Sequence, residues 1–134
     1  MQYRSPRGLQ NHRATGAGRL AQLADFLDTV EPGRLTFSWW YGDGKGCAVA
    51  LAAAEEPWFK AQGLTLAHAD SPRDCHPIYD DASEWRALAR FFELDVKALR
   101  RLFDRTGYDG NLNPHPREVA GKIRAHLAVK AEAA

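Results

Sequence analysis

The chain has 134 residues, of which 45% are hydrophobic and 26% charged, with a formal net charge of +1. A chain of that length fits one core, and the mix of apolar and charged residues excludes global disorder. Near-neutrality excludes an overall field drawing it to nucleic acid or a membrane. No apolar run approaches the ~18 residues of a membrane span, and the N-terminus lacks the apolar centre of a signal peptide, so a cytoplasmic protein with no membrane partner is expected.

The positive charge is nevertheless uneven. Arg4, Arg7, Arg13 and Arg19 precede the first acidic residue, Asp25, among Gly8, Gly16 and Gly18 and few apolar residues. Residues 1–18 therefore read as a flexible basic arm, 19–129 as one globular domain and 130–134 as a frayed tail. In "GRLAQLADFLDTVEPG", Leu20, Leu23, Ala24, Leu27 and Val30 recur at helical spacing until Pro32-Gly33 stops the run. "RLTFSWWY" suits a short strand, and "CAVALAAAEE" a helix ended or kinked by Pro57. "GLTLAH" alternates as a second strand and "DSPRDCHPIYD" reads as a proline-punctuated loop.

Downstream, "DDASEWRALARFFEL" starts like a capping box, with Asp81 three positions before Glu84, and puts Trp85, Leu88, Ala89 and Phe92 on one face. "DVKALRRLFDRTG" forms a helix capped by Asp95 that turns Leu99, Leu102 and Phe103 inward and closes near Gly107. A last helix begins around Pro114-His115-Pro116, carries Val119, Ile123 and Leu127, and frays beyond Val129. The expected architecture is α+β and mainly helical, about five helices with one short strand pair.

Several clusters compete for a functional role. In "YGDGKGCAVA" a glycine loop precedes a helix start, which makes Gly44, Lys45 and Gly46 a weak anion-binding candidate. The pattern departs from a phosphate loop because Lys45 is followed by Gly46, and from a dinucleotide fingerprint because Gly42, Gly44 and Gly46 alternate. The competing reading has glycines turning the chain from strand to helix. Cys47 at the helix start suits a lowered pKa and a thiol nucleophile, or a buried apolar residue. Cys47 and Cys75 are expected as free thiols. With His68 and His76 they lack the spacing that pre-organises a metal chelate, so neither metal nor cofactor is implied. "DGNLN" opens like a calcium loop, but Pro114 and Ala120 occupy the required glycine and glutamate positions, leaving a turn.

Two segments point to binding. In "ALARFFELDVKALRRLFDR", Ala89, Leu94, Leu99 and Leu102 match the buried positions of a helix-turn-helix, with Glu93 at the usual glycine position. Lys97, Arg100, Arg101 and Arg105 would then reach nucleic acid; two packed helices with a solvated basic face are the alternative. In the other, an extended chain sets Trp39 and Tyr41 on one face and Trp40 on the other, so part of the Trp39-Trp40-Tyr41 cluster is exposed and able to anchor a protein partner, unless both faces are packed.

The succession "RLTFSWW", "GCAVALAA", "PWFKAQGLTL", "ARFFELDVKALRRLF" and "REVAGKIRAHL" resembles a group of small proteins of bacterial genomes, prophages and mobile elements with no established activity. The resemblance spans most of residues 20–127. Those proteins carry a Cys-Gly-Thr-x-x-Cys-Ala signature. Here Cys47 and Ala48 match its end, while Gly42, Asp43 and Gly44 replace its start, so chemistry by paired thiols would be lost. They also place glycine where Glu93 stands, a more acidic second helix, and threonine where His115 precedes Pro116. The resemblance implies an accessory protein of a phage or mobile element. The expected function is docking on a host protein or defence complex to block it, as anti-CRISPR proteins do, through Trp39, Trp40 and Tyr41 with Lys97, Arg100, Arg101 and Arg105 as a second surface. A DNA-binding regulator, and a thiol enzyme or small-ligand binder, are the alternatives.

Overall fold

The computed structural model describes residues 14–67 and 75–133. Most of the expected basic arm, and residues 68–74 with His68, lie outside the described residues. Among the described residues the chain forms six α-helices and two small sheets, a mainly helical α+β fold.

Helix α1 (Gly16–Leu27) starts where Thr15 Oγ1 accepts from the Gly18 amide at 3.0 Å. It begins three residues before the expected domain start, and its periodic face, Leu20, Leu23, Ala24 and Leu27, is buried with Val30 beyond its end. Arg19, the last of the four early arginines and the first residue of the expected domain, lies on α1 with only 2% of its surface accessible. A 3-10 turn at Pro32–Arg34 follows. Helix α2 (Ala48–Glu55) is buried over Ala48 to Ala53, as a helix apolar on every side must be. Glu56 then caps α3 (Pro57–Ala61), accepting from the Trp58 amide at 3.3 Å, with Pro57 in the first turn where its missing N–H costs nothing.

The strands differ from the sequence expectation. Instead of one pair there is a hairpin, β1 (Tyr41–Gly42) with β2 (Lys45–Gly46), and an antiparallel sheet of β3 (Thr65–Ala67), β4 (His76–Tyr79) and β5 (Ala82–Ser83) in that order. Residues 37–40 bend rather than extend, so "RLTFSWWY" is mostly not strand. β4 comes from the segment expected as loop. It tolerates Pro77 because β5 pairs only with Ile78 and Tyr79, leaving Pro77 a neighbour on one side alone. Asp80 and Asp81 turn the chain into β5 with φ of 52° and 62°.

Asp81 is therefore a turn residue and not a helix cap. Ser83 occupies the cap position of α4 (Glu84–Phe92), without a side-chain hydrogen bond. At the far end of α4, Glu93 takes the left-handed conformation, φ 58°, and Leu94 N–H reaches back to the Ala89 carbonyl at 3.1 Å. A glutamate serves there because its Oε1 accepts from the Gly16 amide at 2.9 Å, tying the end of α4 to the start of α1.

Asp95 caps α5 (Val96–Phe103) through the Ala98 amide at 2.8 Å, and Leu99, Leu102 and Phe103 are buried. The helix stops at Phe103, and a 3-10 turn, Arg105–Tyr108, carries the chain past Gly107. Helix α6 (Pro116–Ala133) continues beyond Val129 into the expected tail. His115 Nδ1 accepts from the Arg117 amide at 3.1 Å and so supplies a cap without threonine. α6 packs along α1, where Arg124 forks between Asp25 at 3.0 Å and Asp28 at 2.7 Å. No helix among the described residues is long and apolar enough to cross a membrane.

Candidate functional site

The two binding segments expected from the sequence meet in one place. Residues 37–40 bend into the hairpin, and Trp39 and Trp40 line one cleft of about 290 Å³ instead of pointing to opposite faces. The cleft is completed by Phe37, Cys47, Trp85 and Phe103, with Ser38 and Asp104 at its polar positions. Trp40 meets Trp85 edge-to-face with ring centroids 5.5 Å apart, and the Arg100 guanidinium lies 5.4 Å from the centroid of Trp85. Trp85 at the start of α4 thus couples the aromatic segment to the basic helix α5. Its place on the helical face with Leu88 suggests a core residue, but it is only half-buried.

Tyr41 separates from the tryptophans. Its hydroxyl donates to Glu55 Oε2 at 3.4 Å, beside the ion pair of Arg34 with Glu55. Burial first, and then the Glu55 carboxylate, hold the Tyr41 phenol above its ordinary pKa. The cations of α5 also part company: Arg100 leans on Trp85, whereas Arg101 lines a groove shared with α6. Lys97 and Arg105 are exposed. The four do not form a single reading surface around one helix face.

The glycine loop has the geometry of a hairpin turn. Asp43 and Gly44, with φ of 55° and 74°, are the central residues of a two-residue turn whose twist matches paired strands. The carbonyls of the candidate anion residues are turned to internal use. Gly44 O accepts from Arg34 Nε at 3.1 Å, Lys45 O from Trp39 Nε1 at 3.1 Å, and Gly46 O from the Thr36 amide at 2.9 Å. Trp39 is thereby anchored to the hairpin by its indole N–H while its ring borders the cleft. Gly46 fulfils a steric demand, since a Cβ there would stand 2.2 Å from the Trp40 carbonyl oxygen.

Cys47 occupies the cap position of α2 but is only 5% exposed. Burial outweighs the neighbouring backbone N–H groups and pushes its thiol up to about 11, opposite to the direction an activated nucleophile needs. Two pKa units cut the thiolate population near neutrality about a hundredfold. In a Cys75→Ser background, Cys47 is expected to react with a disulfide reagent at pH 8 at least about a hundredfold more slowly than free cysteine. A rate equal to that of free cysteine would restore the nucleophile reading. Both cysteines are free thiols, and among the described residues no three His, Cys, Asp or Glu side chains gather as metal ligands. The "DGNLN" segment is a turn, with the Asn113 amide donating to Asn111 Oδ1 at 2.9 Å.

The chain matches no protein-family model, no curated protein and no solved structure.

Proposed function

We propose that this chain is a protein-binding module that docks on a partner through the cleft of Trp39, Trp40 and Trp85. Its role would be that of an accessory or inhibitor protein of a phage or mobile element acting on a host or defence-complex protein. The observation that carries the docking reading is the convergence of three half-buried tryptophans from two distant segments around one open cleft. Tryptophan contributes a large, rigid area at small entropic cost, which is why it anchors interfaces. The phage or mobile-element setting rests on the sequence resemblance alone.

A specific interface covers about 800 Å² per partner, more than the cleft offers, so the contact extends onto the neighbouring surface of α5. There Arg100, beside Trp85, contributes a second surface together with Lys97 on the same helix and Arg105 in the turn after it, and these cations would compete for contacts the partner makes with nucleic acid, whereas Arg101 belongs to the groove between α5 and α6. The test is capture from nuclease-treated bacterial lysate by the wild-type chain and by Trp39→Ala, a position outside the packed core. The expected result is one stoichiometric protein whose capture falls at least about tenfold with the variant, the scale of an interface anchor. Equal capture by both proteins contradicts the cleft. Capture of nucleic acid alone, abolished by nuclease, favours the DNA-binding alternative.

A further inference from the structure

A second concavity lies between α5 and α6 and shares no lining residue with the tryptophan cleft. It encloses about 570 Å³, within the ~300–1,000 Å³ typical of ligand pockets. Ala98 and Leu102 from α5 and Ala125 and Val129 from α6 give it an apolar floor and wall. Val129 is 65% exposed, a large aliphatic side chain uncovered beside a packed helix. Arg101 and Lys122 stand at its edges, and among the described residues no carboxylate lines it. Lys122 is held in place by the Gly107 carbonyl and by the Tyr108 ring, 4.4 Å from its ammonium, both neutral.

His126 adds to the pattern. Its Nε2 is buried without a hydrogen-bond partner among the described residues. Burial, then the charges of Lys130 and Arg101, hold the imidazole below its ordinary pKa, so a positive potential reaches it from both helices.

We infer that this groove binds an acidic amphipathic segment of a partner protein, its aliphatic side chains on Ala125 and Val129 and its carboxylates against Arg101 and Lys122. An apolar strip between two helices, rimmed by cations with no balancing acid, is the complement of such a segment. A nucleic-acid backbone would satisfy the cations but leave the exposed Val129 without contacts. A second copy of this chain docked symmetrically would bring the same cations face to face. The inference stands apart from the tryptophan cleft, because neither surface contributes a residue to the other.

The experiment is selection of a displayed library of random helical peptides on the full chain, with counter-selection on an Arg101→Glu, Val129→Asp double variant. Both positions are exposed, and retention of the fold is checked by circular dichroism. The expected outcome is enrichment of peptides carrying Asp or Glu with Leu or Ile at i, i+3 and i+4 spacing. Their affinity should fall at least about tenfold in Arg101→Glu, weaken with added salt, and stay unchanged in Trp39→Ala. Three results overturn the inference: no groove-dependent peptide is enriched, the enriched peptides are basic, or a duplex oligonucleotide binds in an Arg101-dependent way while no acidic peptide does. Failure here with intact Trp39-dependent capture would leave the cleft reading standing.

Discussion

Replacing Arg19 with alanine is expected to lower the unfolding free energy by about 3 kcal/mol, a large part of the ~5–15 kcal/mol of an ordinary domain. The guanidinium is buried on α1 and joins three other parts of the chain. Nη1 donates to the Phe91 carbonyl at 2.9 Å and the Tyr79 hydroxyl at 3.3 Å, while Nε and Nη2 donate to Gln62 Oε1 at 3.3 Å. It also lies 4.3 Å from the centroid of Phe91 and 5.2 Å from that of Tyr79. Truncation removes the donor that the guanidinium supplies to the Phe91 carbonyl and opens a cavity, each costing ~1–3 kcal/mol, offset in part by relief of a desolvated charge. Arg19→Lys should also destabilise, because one ammonium cannot reproduce the planar fork. Urea denaturation checks this: a fall in midpoint at unchanged slope is predicted, and a midpoint within experimental scatter of wild type would refute the buried placement.

Gly46→Ala is expected to cost about 3 kcal/mol and to disrupt the tryptophan cleft as well. The new Cβ would meet the Trp40 carbonyl oxygen at 2.2 Å and the Tyr41 Cα at 2.8 Å, backbone atoms that cannot swing aside as a side chain would. The same carbonyl accepts from the Cys47 amide at 2.9 Å, so moving it breaks the bond that leads the hairpin into α2. Trp40 must then shift against Trp85. Near-ultraviolet circular dichroism should lose part of its tryptophan signal together with stability. Gly33→Ala is the control, because its Cβ meets nothing within 4 Å, and it should fall within about 0.5 kcal/mol of wild type. Matching midpoints and spectra for the two variants would contradict the close approach at Gly46.

Local periodicity made much of this fold readable. The buried face of α1, the end of α2 ahead of Pro57, the Asp95 cap and the inward residues of α5 all follow from local signals within one element, whereas the short α3 that begins at Pro57 is not among the expected elements. The hairpin is also legible in principle, since Asp43-Gly44 is a strong turn signal, but three alternating glycines before an alanine-rich helix equally fit an anion loop. The Asp80-Asp81 turn carries no comparable signal, because two non-glycine residues in left-handed conformation are rare.

The burial of Arg19 is not legible locally, for a different reason. A basic residue near a glycine-rich start has the composition of a solvated arm, and its burial is decided by Gln62, Tyr79 and Phe91, which lie far along the chain. The cleft is likewise tertiary: Trp39 and Trp40 are visible as an aromatic run, but only folding brings Trp85 and Arg100 to them. An alternation rule for extended chain fails there because residues 37–40 bend.

The most direct test of docking through the cleft is oxidative footprinting of the captured complex against the free chain, read residue by residue by mass spectrometry. Strong loss of labelling at Trp39 and Trp85, with Trp58, already buried in the free chain, unchanged, is the predicted result. Unchanged labelling at Trp39 and Trp85, with protection confined to other surfaces, would contradict it.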